Sequence, residues 1–223
     1  LEQYDIHVVP VRVHIGTHSY LDKVSLDAES FFRQLAEGTV SPKTSQPPPG
    51  DFRRLFEFLA SHYTAVVSVN LTRANSGTLG AAETAAARVS ARGGVHVVDT
   101  RNASCGQGLL ALAAAERAAA GGTAAEVIAH VERLRPYTHT FACPTTLKFA
   151  VQGGRIPPWA GRVATWLRMT PLICSHLHGK VGIGGVLFGR QNLIAQFARW
   201  AGRRIDPRLR YRVLIGHGMA EAN

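Results

Sequence analysis

Two short runs of hydroxyl-bearing residues stand well apart in this 223-residue chain. Thr44 and Ser45 come before three consecutive prolines, and Ser76, Gly77 and Thr78 come before an alanine-rich stretch. We predict that each run opens a helix, where backbone N–H groups lack intrahelical partners and the helix dipole is positive. Hydroxyl and N–H donors together favour an anionic ligand such as a carboxylate. The alternative interpretation is that these side chains only cap their helices.

The prolines make the first run stiff. Pro47, Pro48 and Pro49 each fix φ near about −65° and remove an N–H donor, so we predict an extended, rigid segment. A helix then opens at Asp51 and carries apolar residues on one face at spacings of three and four: Phe52, Leu55, Phe56 and Leu59. We interpret this face as core; the alternative is that its two phenylalanines line a lipid slot.

Strand, polar loop and helix recur in the first part of the chain, which predicts α/β architecture with a mostly parallel sheet and ligands at the carboxyl ends of its strands. The predicted strands are residues 5–15, 65–69 and 94–99. Four further helices are predicted. The first is capped by Ser25 or Asp27 and ends at Gly38, and the next two span residues 78–92 and 105–120. The fourth begins with a capping box formed by Thr123 and Glu126 and ends at Pro136.

A second, smaller α/β unit is predicted after that helix, which divides the chain into domains at 1–136 and 137–223. The pattern predicts strands at residues 140–143 and 211–215. Between them it predicts a helix that begins at Pro157 and a helix that carries Leu193 to Trp200. The inward-facing residues of the helix from Pro157 are predicted to be Trp159, Val163, Trp166 and Leu167.

The composition favours a globular protein with anionic partners. Twenty-five Lys and Arg against fifteen Asp and Glu give a formal charge of +10. The arginines fall in small clusters, so we interpret most of them as solvated surface, with a transient anionic membrane or protein contact as the alternative and nucleic acid as the weakest reading. No long apolar run and no charged leader is present, which predicts a soluble, cytoplasmic protein.

Metal, disulfide and cofactor chemistry have little support. The three cysteines, Cys105, Cys143 and Cys174, are widely spaced and are predicted to be core residues. His176 and His178 lack a nearby carboxylate companion, so no metal site is predicted. There is no G-x-S-x-G elbow, Walker loop or G-x-G-x-x-G fingerprint, so no catalytic residue and no cofactor are predicted.

Five ordered sequence blocks resemble the signature of the DegV family of bacterial fatty-acid-binding proteins. They are T-S-Q-P-P-P-G-D-F at 44–52, S-G-T at 76–78, V-V-D-T-R-N-A-S-C-G-Q-G at 97–108, T-L-K-F-A-V-Q-G-G-R-I at 146–156 and P-L-I at 171–173. The resemblance implies a two-domain fold, with a three-layer α/β/α unit followed by a smaller two-layer α/β unit. The family's first strand and its C-terminal His-x-Gly-Pro-Gly motif have no counterpart here, and His217 is not assigned that motif's role.

The resemblance also implies a function and a set of site residues. A long-chain fatty acid would bind in an apolar tunnel with its carboxylate on Thr44 and Ser76, assisted by Ser45, Gly77 and Thr78. The protein would present it to a separate ATP-dependent fatty acid kinase, related to dihydroxyacetone kinases, and would not be an enzyme itself. Arg155 is expected near the phosphoryl-transfer end of the tunnel, and Arg190 matches the family pattern more loosely.

Two other classes of function remain open from the residues alone. An enzyme acting on a small carboxylated or phosphorylated metabolite would use the same hydroxyl groups and Arg155 without a kinase. A basic nucleic-acid-binding regulator would bind with steep salt dependence and would not need Thr44 or Ser76.

Overall fold

The strands in the described part of the chain form three separate sheets. The computed structural model describes residues 2–37, 41–90, 93–144, 146–154, 156–159, 169–189 and 191–218. Strands β1 to β8 in these residues are Arg12–Ile15, His18–Leu21, Lys43–Ser45, Val66–Asn70, Val95–Asp99, Phe141–Ala142, Met169–Ser175 and Val181–Phe188. Helices α1 to α7 are Ala28–Ala36, Pro49–His62, Thr78–Ala86, Ser104–Ala119, Ala124–Leu134, Lys148–Gln152 and Leu193–Gly202.

The first sheet is antiparallel and has the order β2-β1-β3. Its central strand β1 lies within the predicted first strand and buries Val13 and Ile15 with Leu26. Helix α1 begins after Asp27, whose carboxylate accepts the backbone N–H of Ser30 at 2.8 Å. That bond holds the pKa of Asp27 below its ordinary value. The two candidate caps for this helix are therefore resolved in favour of Asp27.

Helix α2 packs its predicted face into the core. Phe52, Phe56 and Leu59 are buried against the alanines of α3, and the core interpretation of this face is confirmed. Helix α3 ends at Ala86, before the predicted end at 92. The alanine run supports the helix, and the following Val89 and Ser90 have weaker helix propensity, so the helix stops once the alanines end.

Strands β4 and β5 pair in parallel, from Val66 opposite Val95 to Asn70 opposite Asp99. Helices α4 and α5 cover them and bury Val98, Leu110 and Val131. The predicted capping box of α5 is confirmed, because the hydroxyl of Thr123 accepts the backbone N–H of Glu126 and the carboxylate of Glu126 accepts that of Thr123. The backbone N–H and the hydroxyl of Thr123 both donate to the Glu126 carboxylate and, together with nearby Arg117, lower the pKa of Glu126. The parallel pair places the loops after β4 and β5 at one edge.

The third sheet is antiparallel, with the order β6-β7-β8. Strand β6 confirms the strand predicted at 140–143. Gly185 in β8 lets Trp200 of α7 lie directly on the sheet, since a Cβ at that glycine would stand 2.5 Å from the indole nitrogen. Helix α7 therefore rests against β8 through its tryptophan.

The end of the described chain differs from the prediction. Residues 211–215 form no strand, and Val213 and Ile215 are exposed to 66% and 85%. They run beside α4 instead, where Arg212 makes a bidentate ion pair with Glu116 and Leu214 approaches Gly108. A strand needs a neighbouring ladder as well as a β-rich sequence, and none of the described strands pairs with this segment.

Two predictions for the second half of the chain are not decided by the fold. Most of the helix predicted from Pro157, including Val163, Trp166 and Leu167, lies outside the described residues. Trp159 is described and is 66% exposed, so the prediction that it faces inward is wrong. The third sheet begins at Phe141, and the division into domains at 136 and 137 stays a prediction.

Candidate functional site

Thr44 and Ser45 lie on strand β3, and Thr44 is paired with Val13 of β1. Helix α2 begins only at Pro49, so the prediction that Thr44 stands at the opening of a helix is wrong. The reason is the proline run, which keeps the backbone extended until Pro49 takes the first helical position. Gly77 is the N-cap residue of α3, so the corresponding prediction for Ser76, Gly77 and Thr78 is confirmed.

Gln46 joins the two hydroxyl runs. Its side-chain oxygen Oε1 lies 1.9 Å, and its carbon Cδ 2.8 Å, from the position that a Cβ at Gly77 would take. The segment that follows β3 is therefore packed directly on the turn that opens α3. We call Thr44, Gln46, Ser76 and Gly77 together the hydroxyl site.

Strand geometry turns Thr44 toward the same side as Gln46. Alternate side chains of an extended chain share a face, and Gln46 is held extended because it precedes Pro47, which is fully buried. Ser45 therefore points to the opposite face, where its Oγ lies 2.9 Å from Nε2 of His14. Ser45 was predicted to assist in binding the carboxylate, and it would have to do so from that opposite face. This role stays a prediction.

The turn before α3 allows Ser76 to donate its proton to a ligand when the Thr78 hydroxyl donates to Ser76. Its Oγ accepts the backbone N–H of Thr78 at 3.2 Å and lies 2.8 Å from Oγ1 of Thr78. When the Thr78 hydroxyl is the donor, both acceptor positions of Ser76 are filled and its own O–H is available to a ligand. Thr78 is buried, and Ser76 is half-buried. Capping α3 and donating to an anion are therefore compatible roles for Ser76.

The hairpin between β7 and β8 completes the surroundings of this turn. The backbone N–H of Val181 donates to Oδ1 of Asn75 at 2.7 Å, and Asn75 immediately precedes Ser76. Gly179 has a φ of +89°, and a Cβ there would stand 2.5 Å from Oγ1 of Thr72. A residue with a side chain would be strained and would clash, so glycine allows this hairpin to approach the loop after β4.

A buried polar junction links the third sheet to the loop after β5. Asn102 is 3% exposed, and its Oδ1 accepts hydrogen bonds from Ser175 Oγ at 2.7 Å and Thr140 Oγ1 at 3.1 Å. Its Nδ2 donates to the carbonyl oxygen of Thr138 at 3.0 Å. We call Asn102, Thr138, Thr140 and Ser175 the polar junction. It fixes β6 and β7 against the carboxyl edge of the parallel strands.

A cleft with a volume of about 1090 Å³ lies between β8 and α7. Its wall combines apolar side chains with guanidinium groups: Val186, Leu187, Phe188, Trp200, Arg199 and Arg203. It does not include Thr44 or Ser76. The cleft is suited to an apolar ligand, whereas the hydroxyl site is suited to an anionic group.

The remaining residues singled out in the sequence are two arginines and three cysteines. Arg155 and Arg190 lie outside the described residues. Cys174 is buried, whereas Cys105 and Cys143 are half-buried, and all three are free thiols. Burial raises the pKa of Cys143 and Cys174, which disfavours their reactive thiolate form. Within the described ranges, no group of three or more His, Cys, Asp or Glu residues could hold a metal ion.

The family model described as "Uncharacterised protein, DegV family" matches residues 1–223. The chain belongs to the DegV family. Protein DegV of Bacillus subtilis is 30% identical over 181 residues, which are 81% of this chain and 63% of that protein. This chain therefore spans less than two thirds of the length of that DegV relative.

Solved DegV structures share the fold. A DegV family protein from Thermus thermophilus, described by its fatty acid binding, superimposes with a TM-score of 0.74 at 32% identity, over 90% of this chain and 72% of that one. DegV from Bacillus subtilis, described as a fatty acid binding protein, gives a TM-score of 0.79 at 26% identity, over 91% and 72%. The predicted α/β fold of the DegV type is confirmed. None of the helices in the described residues is both long and apolar enough to span a bilayer.

Sequence reasoning missed Gln46, Asn75 and Asn102. Each lies within or beside a run that the sequence analysis singled out, and each is a carboxamide next to a strand end or turn. A general expectation that polar side chains after parallel strands face one another would have drawn attention to Asn75 and Asn102. Gln46 gave no such signal, because its contact is with a glycine on a distant loop.

Proposed function

We propose that this DegV family chain binds a long-chain fatty acid whose carboxylate is held by Thr44 and Ser76. The observation that carries the proposal is the packing of Gln46 on Gly77, which brings the strand of Thr44 against the turn of Ser76. Two DegV relatives that share this fold are described as fatty acid binding. In this proposal, hydroxyl donors from the two segments reach one ligand beside the N-terminus of α3.

The chemistry of the hydroxyl site suits a carboxylate. Each carboxylate oxygen can accept more than one hydrogen bond, and bonds to ionised groups are shorter and stronger than neutral ones. The N-terminus of α3 adds a positive helix dipole at the same place. Gly77 contributes to the proposed site through its backbone. Thr78 contributes through its hydrogen bond to Ser76, which orients the Ser76 hydroxyl group.

Strand β8 offers a path from the hydroxyl site to the cleft. Its first residue bonds to Asn75, and its last three residues line the cleft. From Val181 to Val186 an antiparallel strand advances about 17 Å. An acyl chain in a bilayer spans about 15 Å, half the thickness of the hydrocarbon core. The similar lengths support an acyl tail that follows β8 and ends in the cleft.

The tail supplies most of the binding free energy. At about 0.8 kcal/mol per buried methylene, a chain of sixteen to eighteen carbons contributes on the order of 10 kcal/mol before ordering costs. The carboxylate contacts add less, but they fix which end of the ligand reaches the hydroxyl site.

The bound carboxylate is presented to a separate ATP-dependent fatty acid kinase related to dihydroxyacetone kinases. A carboxylate oxygen attacks the γ-phosphorus of ATP, ADP leaves, and an acyl phosphate forms for phospholipid synthesis. In this reaction the DegV chain is a carrier and the kinase is the enzyme. Arg155 and Arg190 are the residues we assign to the kinase-facing end. Because ATP is the phosphoryl donor, we place the chain in the cytoplasm.

A basic and apolar surface beside the cleft fits transient contact with an anionic membrane. Phe188 lines the cleft and is 71% exposed. Arg199 and Arg203 line the same cleft and have no acidic partner among the described residues. Apolar side chains flanked by arginines bind bilayers that carry anionic lipids.

Replacing Arg199 and Arg203 by glutamine should weaken binding to phosphatidylglycerol vesicles roughly thirtyfold, since each arginine near such a surface contributes about 1 kcal/mol. Vesicle co-sedimentation at two salt concentrations measures this. The control is Arg33→Gln/Arg53→Gln, which removes the same charge from two ion-paired sites elsewhere. Equal loss in both double variants, or no salt dependence, would contradict a specific membrane contact.

Mass spectrometry of the purified chain tests the proposed function. We expect a fatty acid bound in a one-to-one ratio in native spectra and identified after organic extraction. If the chain is isolated empty and also fails to take up added palmitate, the carrier proposal is wrong. Turnover of a short carboxylated or phosphorylated metabolite without a kinase would instead support the enzyme class.

A further inference from the structure

The carboxamide of Asn75 is held in one orientation by the β7–β8 hairpin. Its Oδ1 accepts the backbone N–H of Val181 at 2.7 Å, which is at the short end of the usual range for such a bond. Only the oxygen of a carboxamide can accept a hydrogen bond from a backbone N–H, so this bond decides which arm of the group is Nδ2. The two N–H donors of Nδ2 are therefore left for another partner.

The hairpin that holds this carboxamide is itself anchored at two further points. Ser175, at the end of β7, donates to Oδ1 of buried Asn102 at 2.7 Å. Gly179 has a φ of +89°, and a Cβ there would stand 2.5 Å from Oγ1 of Thr72, which is 1% exposed. The backbone N–H of Thr72 donates to the carbonyl oxygen of Asn102 at 2.8 Å. The N–H group that orients the carboxamide is thus fixed by backbone and buried contacts.

Nδ2 of Asn75 has no acceptor among the described residues. In the same part of the chain, every fully buried side-chain nitrogen and oxygen has a hydrogen-bond partner, so Nδ2 is open to a ligand. The residue as a whole is half-buried. A fixed donor without a protein acceptor gains most from a charged ligand, because hydrogen bonds to ionised groups are stronger than neutral ones.

Asn75 and Ser76 share one turn. The backbone N–H of Asn75 donates to the carbonyl oxygen of Thr72 at 3.3 Å, so the chain is not extended at this point. Neighbouring side chains point to opposite faces in a strand, but a turn does not impose this alternation. The Cα atoms of the two residues are about 3.8 Å apart. Donors on both side chains can therefore approach the two oxygens of one carboxylate.

We propose that Nδ2 of Asn75 is a further donor to the fatty acid carboxylate and determines selectivity for an acid over an uncharged head group. This inference rests on the proposed function, because it concerns the same ligand. A carboxylate accepts about four hydrogen bonds, so donors at Thr44 and Ser76 leave positions for Asn75. The bond from Val181 orients the donor before the ligand arrives, which reduces the entropy lost on binding.

The decisive variant is Asn75→Asp. It keeps an oxygen for the N–H of Val181, but it replaces both donors by a second acceptor and adds a negative charge beside the ligand. We expect the Kd for palmitate to rise at least about a hundredfold. The Kd for hexadecanol should change by less than about threefold, since its hydroxyl can donate to the new carboxylate. Gln3→Glu is the control, because it makes the same change of charge at an exposed position and should leave both affinities unchanged.

Asn75→Ala separates lost donation from added repulsion. It removes the donor without adding charge, so the Kd for palmitate should rise about tenfold to a hundredfold, and the Kd for hexadecanol by less than about tenfold. Loss of the bond to Val181 alone would weaken both ligands to the same extent. Equal losses for palmitate and hexadecanol would therefore overturn the proposal.

Nuclear magnetic resonance observes the donor in the unmodified chain, so this test does not depend on how the variants fold. We expect the side-chain amide protons of Asn75 to shift downfield when palmitate is added and to shift less with hexadecanol. Amide shifts that are the same in the empty chain and in the palmitate complex would contradict donation by Nδ2.

The two levels of inference fail in different ways. If the unmodified chain binds palmitate and Asn75→Asp binds it equally well with the same acid-to-alcohol preference, the role of Asn75 is wrong and the carrier function stands. If the unmodified chain binds neither ligand, the carrier function is wrong and the role of Asn75 is overturned with it.

Discussion

The Thr44→Ala/Ser76→Ala chain is expected to be purified with little or no fatty acid. The two hydroxyl groups are proposed to donate to one carboxylate, and a hydrogen bond to a charged group contributes about 1.5 to 3 kcal/mol. Losing both should raise the Kd for palmitate at least about a hundredfold. Isothermal titration with palmitate, together with mass spectrometry of the extracted ligand, measures the effect.

The fold should survive this double substitution. Thr44 is exposed, and removing the hydroxyl of Ser76 costs α3 one N-terminal hydrogen bond, about 1 kcal/mol. Ser61→Ala/Thr84→Ala is the control, because it removes the same atoms from hydroxyls that bond to helix carbonyl groups in α2 and α3. Unchanged palmitate affinity in Thr44→Ala/Ser76→Ala would show that the carboxylate is held elsewhere.

Asn102→Ala should destabilise the chain by about 3 kcal/mol. The substitution removes three hydrogen bonds from a residue that is 3% exposed. The hydroxyl of Thr140 retains the carbonyl oxygen of Ala103 as an acceptor, whereas the buried hydroxyl of Ser175 loses the acceptor it had in Asn102. A buried donor without a partner costs about 1 to 3 kcal/mol, and the missing side chain adds a cavity. Urea denaturation measures the change in the free energy of unfolding.

Asn102→Asp separates the loss of hydrogen bonds from the loss of volume. The carboxylate keeps the shape but places an oxygen opposite the carbonyl of Thr138, and burial raises its folded-state pKa above the ordinary value of about 3.9. A raised carboxyl pKa destabilises the fold as pH rises above the unfolded-state pKa. The variant should therefore be much less stable than the unmodified chain at pH 7, and the difference should shrink toward pH 4. A difference that does not vary with pH would contradict a desolvated polar junction.

Local patterns accounted for most of the helices. The apolar face of α2 and the capping box of α5 are complete within a few residues of sequence, so they could be predicted without knowing what they contact. Fold class followed from the alternation of strands and helices, and family resemblance supplied the order of the blocks. The roles of Thr44 and Ser76 in carboxylate binding remain predictions of that resemblance.

Features that depend on contacts between distant segments could not be predicted in this way. Residues 211–215 have strand-like composition, but no described strand pairs with them. Gly182, Gly184 and Gly185 weaken the strand signal of β8, although they allow His176, Cys174 and Trp200 to pack against it. Gln46 is similar: nothing near it in the sequence indicates that its side chain lies on Gly77.

The hydrogen bond between Asn75 and Val181 affects the order in which parts of the fold form during synthesis of the chain. The two residues are 106 positions apart, so Asn75 emerges from the ribosome long before its partner. At 5 to 20 residues per second the delay is about 5 to 20 s, far longer than the formation of local helices. Until the β7–β8 hairpin arrives, the loop beside Ser76 lacks this contact. The first two sheets can therefore assemble during translation, whereas the surroundings of Ser76 are completed only after Val181 has been synthesised.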